Sequence, residues 1–241
     1  MPRYAPNLNR RSADQPRRVG MVSAIPAAQK AQFLQLISQD LAILGLTLSN
    51  TQTAQLLRFL DHLLKWNALI NISAVTEPEQ MLSVHIVDSL AALTHLQRLG
   101  GDTPSVLDVG TGPGLPAVPW AIAMPGAQIH AIDSVRKKID TISEFVASET
   151  LPNLHAEHLR IEDVGGQYDV VTSRAFSSLK NFVSLAGSSV RGGGTLLALK
   201  GKTPEAEMAE LDGTGWVVAQ IVPIVVPRLE AERCVVVLHR A

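Results

Sequence analysis

The chain has 241 residues, 46% of them hydrophobic and 18% charged, with a formal net charge of -1. That length suits one large domain, or a large and a small one, and the near-zero charge excludes a global basic field, although a local patch can still bind nucleic acid. A single cysteine, Cys234, excludes a disulfide framework and a cysteine-rich zinc site.

No apolar run approaches the roughly 18 residues that a membrane span requires. A soluble, cytoplasmic monomer with no membrane contact and no bound metal is expected. Residues 1–23 differ from the rest, with Arg3, Arg10, Arg11, Arg17 and Arg18 set among Pro, Asn and Ser. A disordered basic tail is expected there, in contact with RNA or merely solvated, or read through from upstream of a start at Met21. It does not read as a signal peptide, because no apolar core follows the arginines.

Residues 24–101 are expected to be helical. Phe33, Ile37, Leu41 and Leu44 recur at helical spacing up to Gly45. Ser49 and Gln52 have the spacing of a capping box. Leu56, Leu57, Leu60, Leu63 and Leu64 follow on one face, ending near Trp66-Asn67. Thr76 and Glu79 suggest a second capping box, with Pro78 in the first turn of a helix that runs to about Gln97. Gly100-Gly101-Asp102 then joins this portion to a second one, residues 102–241.

That second portion opens on Ser105-Val-Leu-Asp-Val-Gly-Thr-Gly-Pro-Gly114. The order reads as buried strand, glycine loop and helix, the place where an open α/β sheet binds a nucleotide-like ligand. Gly110 and Gly112 let the backbone approach a ligand, and Pro113 offers no amide donor. The sixth position of a dinucleotide fingerprint is Leu115 rather than glycine. Asp108, inside the strand, would repel phosphate and suits an amino or sulfonium group. S-adenosylmethionine is the favoured ligand, with NAD or a purely structural turn as alternatives.

Further on, strands are expected at 127–132, 154–157, 168–172 and 195–199, with helices at 134–148 and 177–190 between them. Arg191-Gly-Gly-Gly194 reads as a turn. A short helix starts at Thr203-Pro204-Glu205. Residues 216–222 and 234–238 have no crossover helix between them and read as an antiparallel hairpin at the sheet edge. Five parallel strands with this hairpin match the seven-stranded order 3-2-1-4-5-7-6.

Asp133 lies 23 residues after Gly110, where an acid accepts from ribose hydroxyls or caps the next helix. Ile161 and Glu162 fall in the loop that flanks the base, although Glu162 alone would read as solvated surface. Arg174, just past the fourth strand, is placed to grip a carboxylate or an RNA phosphate. Phe176 is either core or a stacking surface. Lys200, Lys202, Arg228 and Arg233 would form a basic rim for RNA, or else scattered surface charge. His85 and Ser89 share a helical face but come without a nucleophile elbow, so no hydrolase triad is read.

Trp66-Asn67 with Asn71-Ile-Ser73, His85-Ile-Val-Asp-Ser89, Asp108-Val-Gly-Thr-Gly-Pro-Gly-Leu-Pro116, Ser173-Arg-Ala-Phe176 and Leu199-Lys-Gly201 occur in this order. Together they resemble the bacterial small-subunit rRNA guanine-N7 methyltransferases, the glucose-inhibited division protein B family, over about residues 28–240. The resemblance implies a Rossmann-like class I S-adenosylmethionine-dependent methyltransferase with a helical N-terminal portion, acting on the small ribosomal subunit. Its target would be N7 of guanine 527 in the 530 loop of 16S rRNA. It also implies that Gly110 and Leu115 line the cofactor, that Ile161 and Glu162 flank the adenine, and that Arg174 serves cofactor or substrate. The chain departs from the family at Ala117, at Asn71-Ile-Ser73, and at Ala231 and Cys234 of the terminal hairpin. A metabolite methyltransferase and a non-catalytic RNA-binding factor remain alternatives.

Overall fold

A computed structural model describes residues 25–174 and 176–241; the expected basic tail at 1–23 lies outside them. Helix α1 (Ala27–Leu44) ends at Gly45, whose φ of 68° permits the left-handed cap. Helix α2 (Asn50–Ile70) starts with the expected capping box, the Ser49 hydroxyl accepting from the Gln52 amide and the Gln52 side chain accepting from the Ser49 amide. It runs a turn past Asn67, because Asn71 itself adopts the left-handed conformation that closes it.

The second capping box is absent. Pro78 occupies the first turn of α3 (Pro78–Met81), which places the cap at Glu77, and no side chain bonds there. The same helix continues through a π-helical stretch, Leu82–Val87, into α4 (Asp88–Gly100). Gly101, with φ of 70°, ends it three residues beyond the expected point.

The sheet has the order β3-β2-β1-β4-β5-β7-β6. It is built from β1 (Ser105–Val109), β2 (Gln128–Asp133), β3 (Leu154–His158), β4 (Tyr168–Ser173), β5 (Val190–Lys200), β6 (Trp216–Pro223) and β7 (Cys234–Arg240). The first five are parallel, and β7 runs antiparallel to both β5 and β6. Among the described residues no helix is long and apolar enough to cross a membrane.

The helices that link the strands are α5 (Ala117–Ala123), α6 (Arg136–Glu149), α7 (Leu179–Ala186) and the short α8 (Glu205–Ala209). Three of the expectations change. The helix expected at 177–190 is α7 alone, followed by a 3-10 turn at Gly187–Ser189. The glycines after Arg191 belong to β5 rather than to a turn, and the pairing with β4 shifts between Tyr168 and Val170. Gly194 allows this close approach, because a Cβ there would lie 2.8 Å from the Asp169 carbonyl oxygen. Helix α6 starts at Arg136 rather than at 134, because the Asp133 carboxylate accepts from the Val135 amide and turns the chain first.

Alternate residues of each strand feed two cores. Val106, Ile129, Val170 and Leu197 face one side, and Leu107, Ile132, Val171 and Leu196 the other. The first core also contains Phe33, Leu56, Phe59, Leu60, Leu90 and Leu93, so the helical portion and the sheet share a core. Phe59 packs on Phe145 of α6 with ring centroids 4.9 Å apart, Trp120 donates to the Ser89 carbonyl at 2.7 Å, and Gln52 donates to the Ile122 carbonyl at 2.8 Å. Ser49→Ala should therefore cost about 1 kcal/mol, read as a lower urea midpoint with an unchanged slope.

Candidate functional site

The glycine loop takes its shape from the carboxylates of Asp108 and Asp133. Asp108 is fully buried behind the loop, and its Oδ2 accepts from the Thr111 hydroxyl at 2.6 Å and from the Ala117 amide at 3.3 Å. Oδ1 has no hydrogen-bond partner among the described residues. Burial raises this carboxyl to about 6, opposed by the Thr111 bond and by the positive charge of Arg174. Asp133, at the end of β2, accepts from the Gly112 amide at 3.0 Å and ties the loop to the second strand.

The remaining amides of the loop are also taken. Thr111 donates to the Ile132 carbonyl, and Gly114 and Leu115 both donate to the Thr111 carbonyl. With Pro113 lacking an N–H, the turn from Thr111 to Leu115 has no free donor to offer a pyrophosphate. Gly110, Gly112 and Gly114 have φ values of 69°, 61° and 97°. At Gly114 a Cβ would come within 2.6 Å of Val118 Cγ2, so packing as well as φ requires glycine there.

A crevice of about 360 Å³ opens between the carboxyl ends of β1 and β2. Gly110, Asp133, Ile161 and Glu162 all line it, the last two from a short 3-10 turn after β3. Lys138 joins them, 3.5 Å from Asp133. This wall fits a nucleoside: Asp133 Oδ2 accepts from the Gly112 amide and from Lys138, Oδ1 accepts only from the Val135 amide and retains a lone pair for a ribose hydroxyl, and Ile132, Leu159 and Ile161 supply apolar surface. Asp108, Gly112 and Leu115 are not in its wall. Leu115 is buried in the core beneath the loop; all three shape the loop from behind.

A second cavity of about 470 Å³ lies beside the end of β4, lined by His85, Asp88, Arg174, Lys200, Arg233 and Cys234 among others. Asp88 is its joint. Arg233 Nε donates to one carboxylate oxygen at 3.1 Å, and Arg174 Nη1 approaches the other at 3.4 Å. Burial raises the Asp88 carboxyl, and the two guanidiniums oppose that rise. His85 is pushed down to about 4, first by burial and then by the positive charge of Arg174. Its Nδ1 lies 3.1 Å from the Val84 carbonyl, which can only accept, so Nδ1 carries the proton and Nε2 accepts from Ser73 at 2.8 Å. Asn67 folds the loop that delivers Ser73, accepting from its amide and donating to the Val75 carbonyl.

His85 and Asp88, read from the sequence only as a motif and not as a hydrolase triad, have no expected site role and yet line this cavity. Their spacing of three on one helix, read with the charges of Arg174 and Arg233, is the signal that could have found them. The basic rim is also less free than its composition suggests. Lys200 is held by Glu207 at 2.9 Å and by the Phe176 carbonyl. Arg228 turns toward α1 and pairs with the buried Asp40, Nη1 donating to Oδ1 at 2.9 Å. Lys202 is exposed and has no such pair among the described residues, and Arg233 contacts Asp88. Phe176 stacks on Phe182, with ring centroids 5.0 Å apart, at the margin of the second core. Cys234 is buried at the cavity's edge, and burial raises its thiol.

The strand order, the loop and the crevice at the carboxyl end of β1 define a class I S-adenosylmethionine-dependent methyltransferase fold. A Burkholderia thailandensis 1,6-didemethyltoxoflavin-N1-methyltransferase shares it, with a TM-score of 0.53 over 68% of this chain and 82% of that one at 10% identity. TrmN from Thermus thermophilus shares it with a TM-score of 0.51 over 66% and 53% of the two chains at 18% identity.

The sequence narrows this further. The family model for rRNA small subunit methyltransferase G matches residues 52–236. The Ribosomal RNA small subunit methyltransferase G of Bordetella avium (strain 197N) is 43% identical over 210 residues, covering 86% of this chain and 93% of that protein. That of Bordetella petrii is 44% identical over 202 residues, covering 82% and 79%. The chain belongs to the rRNA small subunit methyltransferase G family, and it is a methyltransferase.

Two outcomes follow from the charges. Arg228→Ala strands the buried Asp40 and, with Arg228 itself partly exposed, should cost about 3 kcal/mol in urea unfolding, whereas Lys202→Ala should leave stability unchanged. The Asp108 carboxyl rises from 3.8 to about 6 on folding, so the folded chain holds that proton more tightly. The stability it contributes is fully present below 3.8 and is lost as pH rises through about 6. Asp108→Asn should remove that part of the pH dependence, seen as the difference between wild-type and variant unfolding curves from pH 4 to 7.

Proposed function

We propose that this chain transfers the methyl group of S-adenosylmethionine to N7 of guanine 527, in the 530 loop of 16S rRNA. Family membership supports ribosomal RNA as the substrate class. The observation that carries the cofactor half is the internally satisfied glycine loop, with no amide free for a pyrophosphate, beside a crevice that presents the Asp133 carboxylate. It suits a neutral ribose and a cationic sulfonium compound better than a pyrophosphate.

S-adenosylmethionine, when bound, supplies an electrophilic methyl on a positively charged sulfur. Gly110, Asp133, Ile161 and Glu162 would hold its nucleoside end, with Asp108, Gly112 and Leu115 fixing the loop around it. The second cavity, next to the adjoining end of β4, would receive the guanine. The base must leave its stack to reach such a recess. Arg174 stands at this boundary, close enough to both Asp88 and Asp108 to influence their ionisation. In this reading it grips the cofactor carboxylate or an RNA phosphate, while Lys202 and Arg233 meet flanking phosphates.

Guanine N7 carries a lone pair and no proton, so the reaction needs no general base. The neutral His85 suits that requirement: it orders the loop through Ser73 and brings no positive charge against the base. Asp88 gives the cavity a carboxylate where the methylated base becomes cationic. Most of the acceleration then comes from placing N7 in line with the methyl group.

The test is transfer of labelled methyl to small ribosomal subunits from a strain lacking this gene, with cleavage at 7-methylguanine to map the product. A single new site in the 530 loop is the expected result, and Arg174→Ala should reduce the rate about 100-fold. Full activity of Arg174→Ala in both cofactor binding and transfer would overturn the role given to Arg174. Cofactor binding without incorporation into ribosomal RNA would overturn the substrate.

A further inference from the structure

On the sheet face opposite the helical portion, three potential metal ligands converge away from the methyl-transfer site. His130 of β2 and His155 of β3 are register partners across the parallel pair, and Glu157 follows two residues later on the same face. His130 Nε2 lies 3.0 Å from Glu157 Oε2, and His155 Nε2 lies 3.7 Å from that same oxygen. One ligand atom from each of the three residues falls within 4.8 Å of the others. A tetrahedral zinc with ligands at about 2.0–2.1 Å requires ligand atoms about 3.3–3.4 Å apart. The two distances to Glu157 bracket that spacing, and the His155 side chain, 72% exposed, has room to adjust.

The cluster has the supporting contact that such sites use. His130 Nδ1 lies 2.7 Å from the Tyr168 hydroxyl. Without a metal, the Glu157 carboxylate can only accept, so Nε2 carries the proton and the Tyr168 hydroxyl donates to Nδ1. A metal at Nε2 would displace that proton, and Nδ1–H would then donate to the Tyr168 oxygen and fix the ring in orientation.

The fold leaves the place open. The connection from β3 to β4 contains a single 3-10 turn, Ile161–Asp163, and no α-helix. The face of β2 and β3 is therefore uncovered at its outer edge. There the side chain of His155 is 72% exposed, against 17% for His130. A fourth coordination position faces solvent.

We propose that His130, His155 and Glu157 form a site for a divalent transition metal ion of the zinc type, with Tyr168 orienting His130. Two imidazoles and a carboxylate are the ligand set that zinc accepts in three-ligand sites. The ion would clamp the edge strand β3 to β2. Both strands lead directly into the crevice wall at Asp133 and at Leu159–Ile161, so the clamp would stiffen that wall. This site does not depend on the methyl-transfer reading.

The experiment uses untagged full-length protein, stripped with a chelator and titrated with cobalt(II) chloride or zinc chloride alone. Expected are one equivalent bound, a visible cobalt absorption band with nitrogen and oxygen ligands, and a higher melting temperature with zinc. His155→Ala and Glu157→Gln, both at exposed or half-exposed positions, should each weaken binding more than tenfold. Tyr168→Phe should weaken it about tenfold. His158→Ala, a neighbouring histidine outside the cluster, should leave it unchanged. No binding by the wild-type protein, or equal binding by His155→Ala, would overturn the proposal.

Discussion

A carboxylate buried in the first parallel strand sets the geometry on which the rest of the site depends. Asp108 reaches Thr111 and Ala117 at once, so one side chain fixes both the turn after β1 and the entry to α5. Asp133 holds the same turn from β2. A loop pinned from two strands needs no ligand to define its path, and its amides are spent on that definition. Chemical preference follows: the turn has no amide left for a pyrophosphate, and the crevice is faced by Asp133 and Glu162, by Lys138 and Arg160, by apolar wall and by the backbone of Gly110. Because desolvation opposes the ionised form of Asp108, the arrangement also costs stability at neutral pH, and a nearby cation is the natural offset.

The second carboxylate, Asp88, does for the neighbouring cavity what Asp108 does for the loop. It joins three distant parts of the chain, the helix after the π-helical stretch, the end of β4 at Arg174 and the terminal hairpin at Arg233. The helical portion therefore contributes a wall of the site as well as a cover for the core. Asn67 and Ser73 extend that wall by ordering the loop that meets His85. The motifs scattered along the first half of the chain meet here, which explains why short polar segments recur between otherwise apolar helices.

Much of this was legible in the residues because it depends on local rules. Apolar spacing marked α1 and α2, the Ser49–Gln52 pair marked a cap, and the glycine spacing with an interior acid marked the crevice. The strand order followed from crossover connections and a final hairpin. What escaped needed three dimensions. Whether Arg228 faces solvent or Asp40 depends on how the hairpin loop packs on α1, 188 residues away in sequence. The glycines after Arg191 look like a turn, and only the crowding against β4 makes them strand. His130, His155 and Glu157 lack metal-binding spacing in sequence, since strand pairing rather than a motif brings them together.

The π-helical stretch from Leu82 to Val87 has a geometric consequence for how this protein tolerates change in length. A wider turn accommodates an extra residue, and each residue of an α-helix corresponds to a rotation of about 100°. The segments before and after the stretch are therefore out of phase with a single regular helix. His85 lies within it and Asp88 directly after it. Loss of one residue here would not simply shorten a helix. It would swing the carboxylate that Arg174 and Arg233 share away from both, so the length of this segment is as constrained as its chemistry.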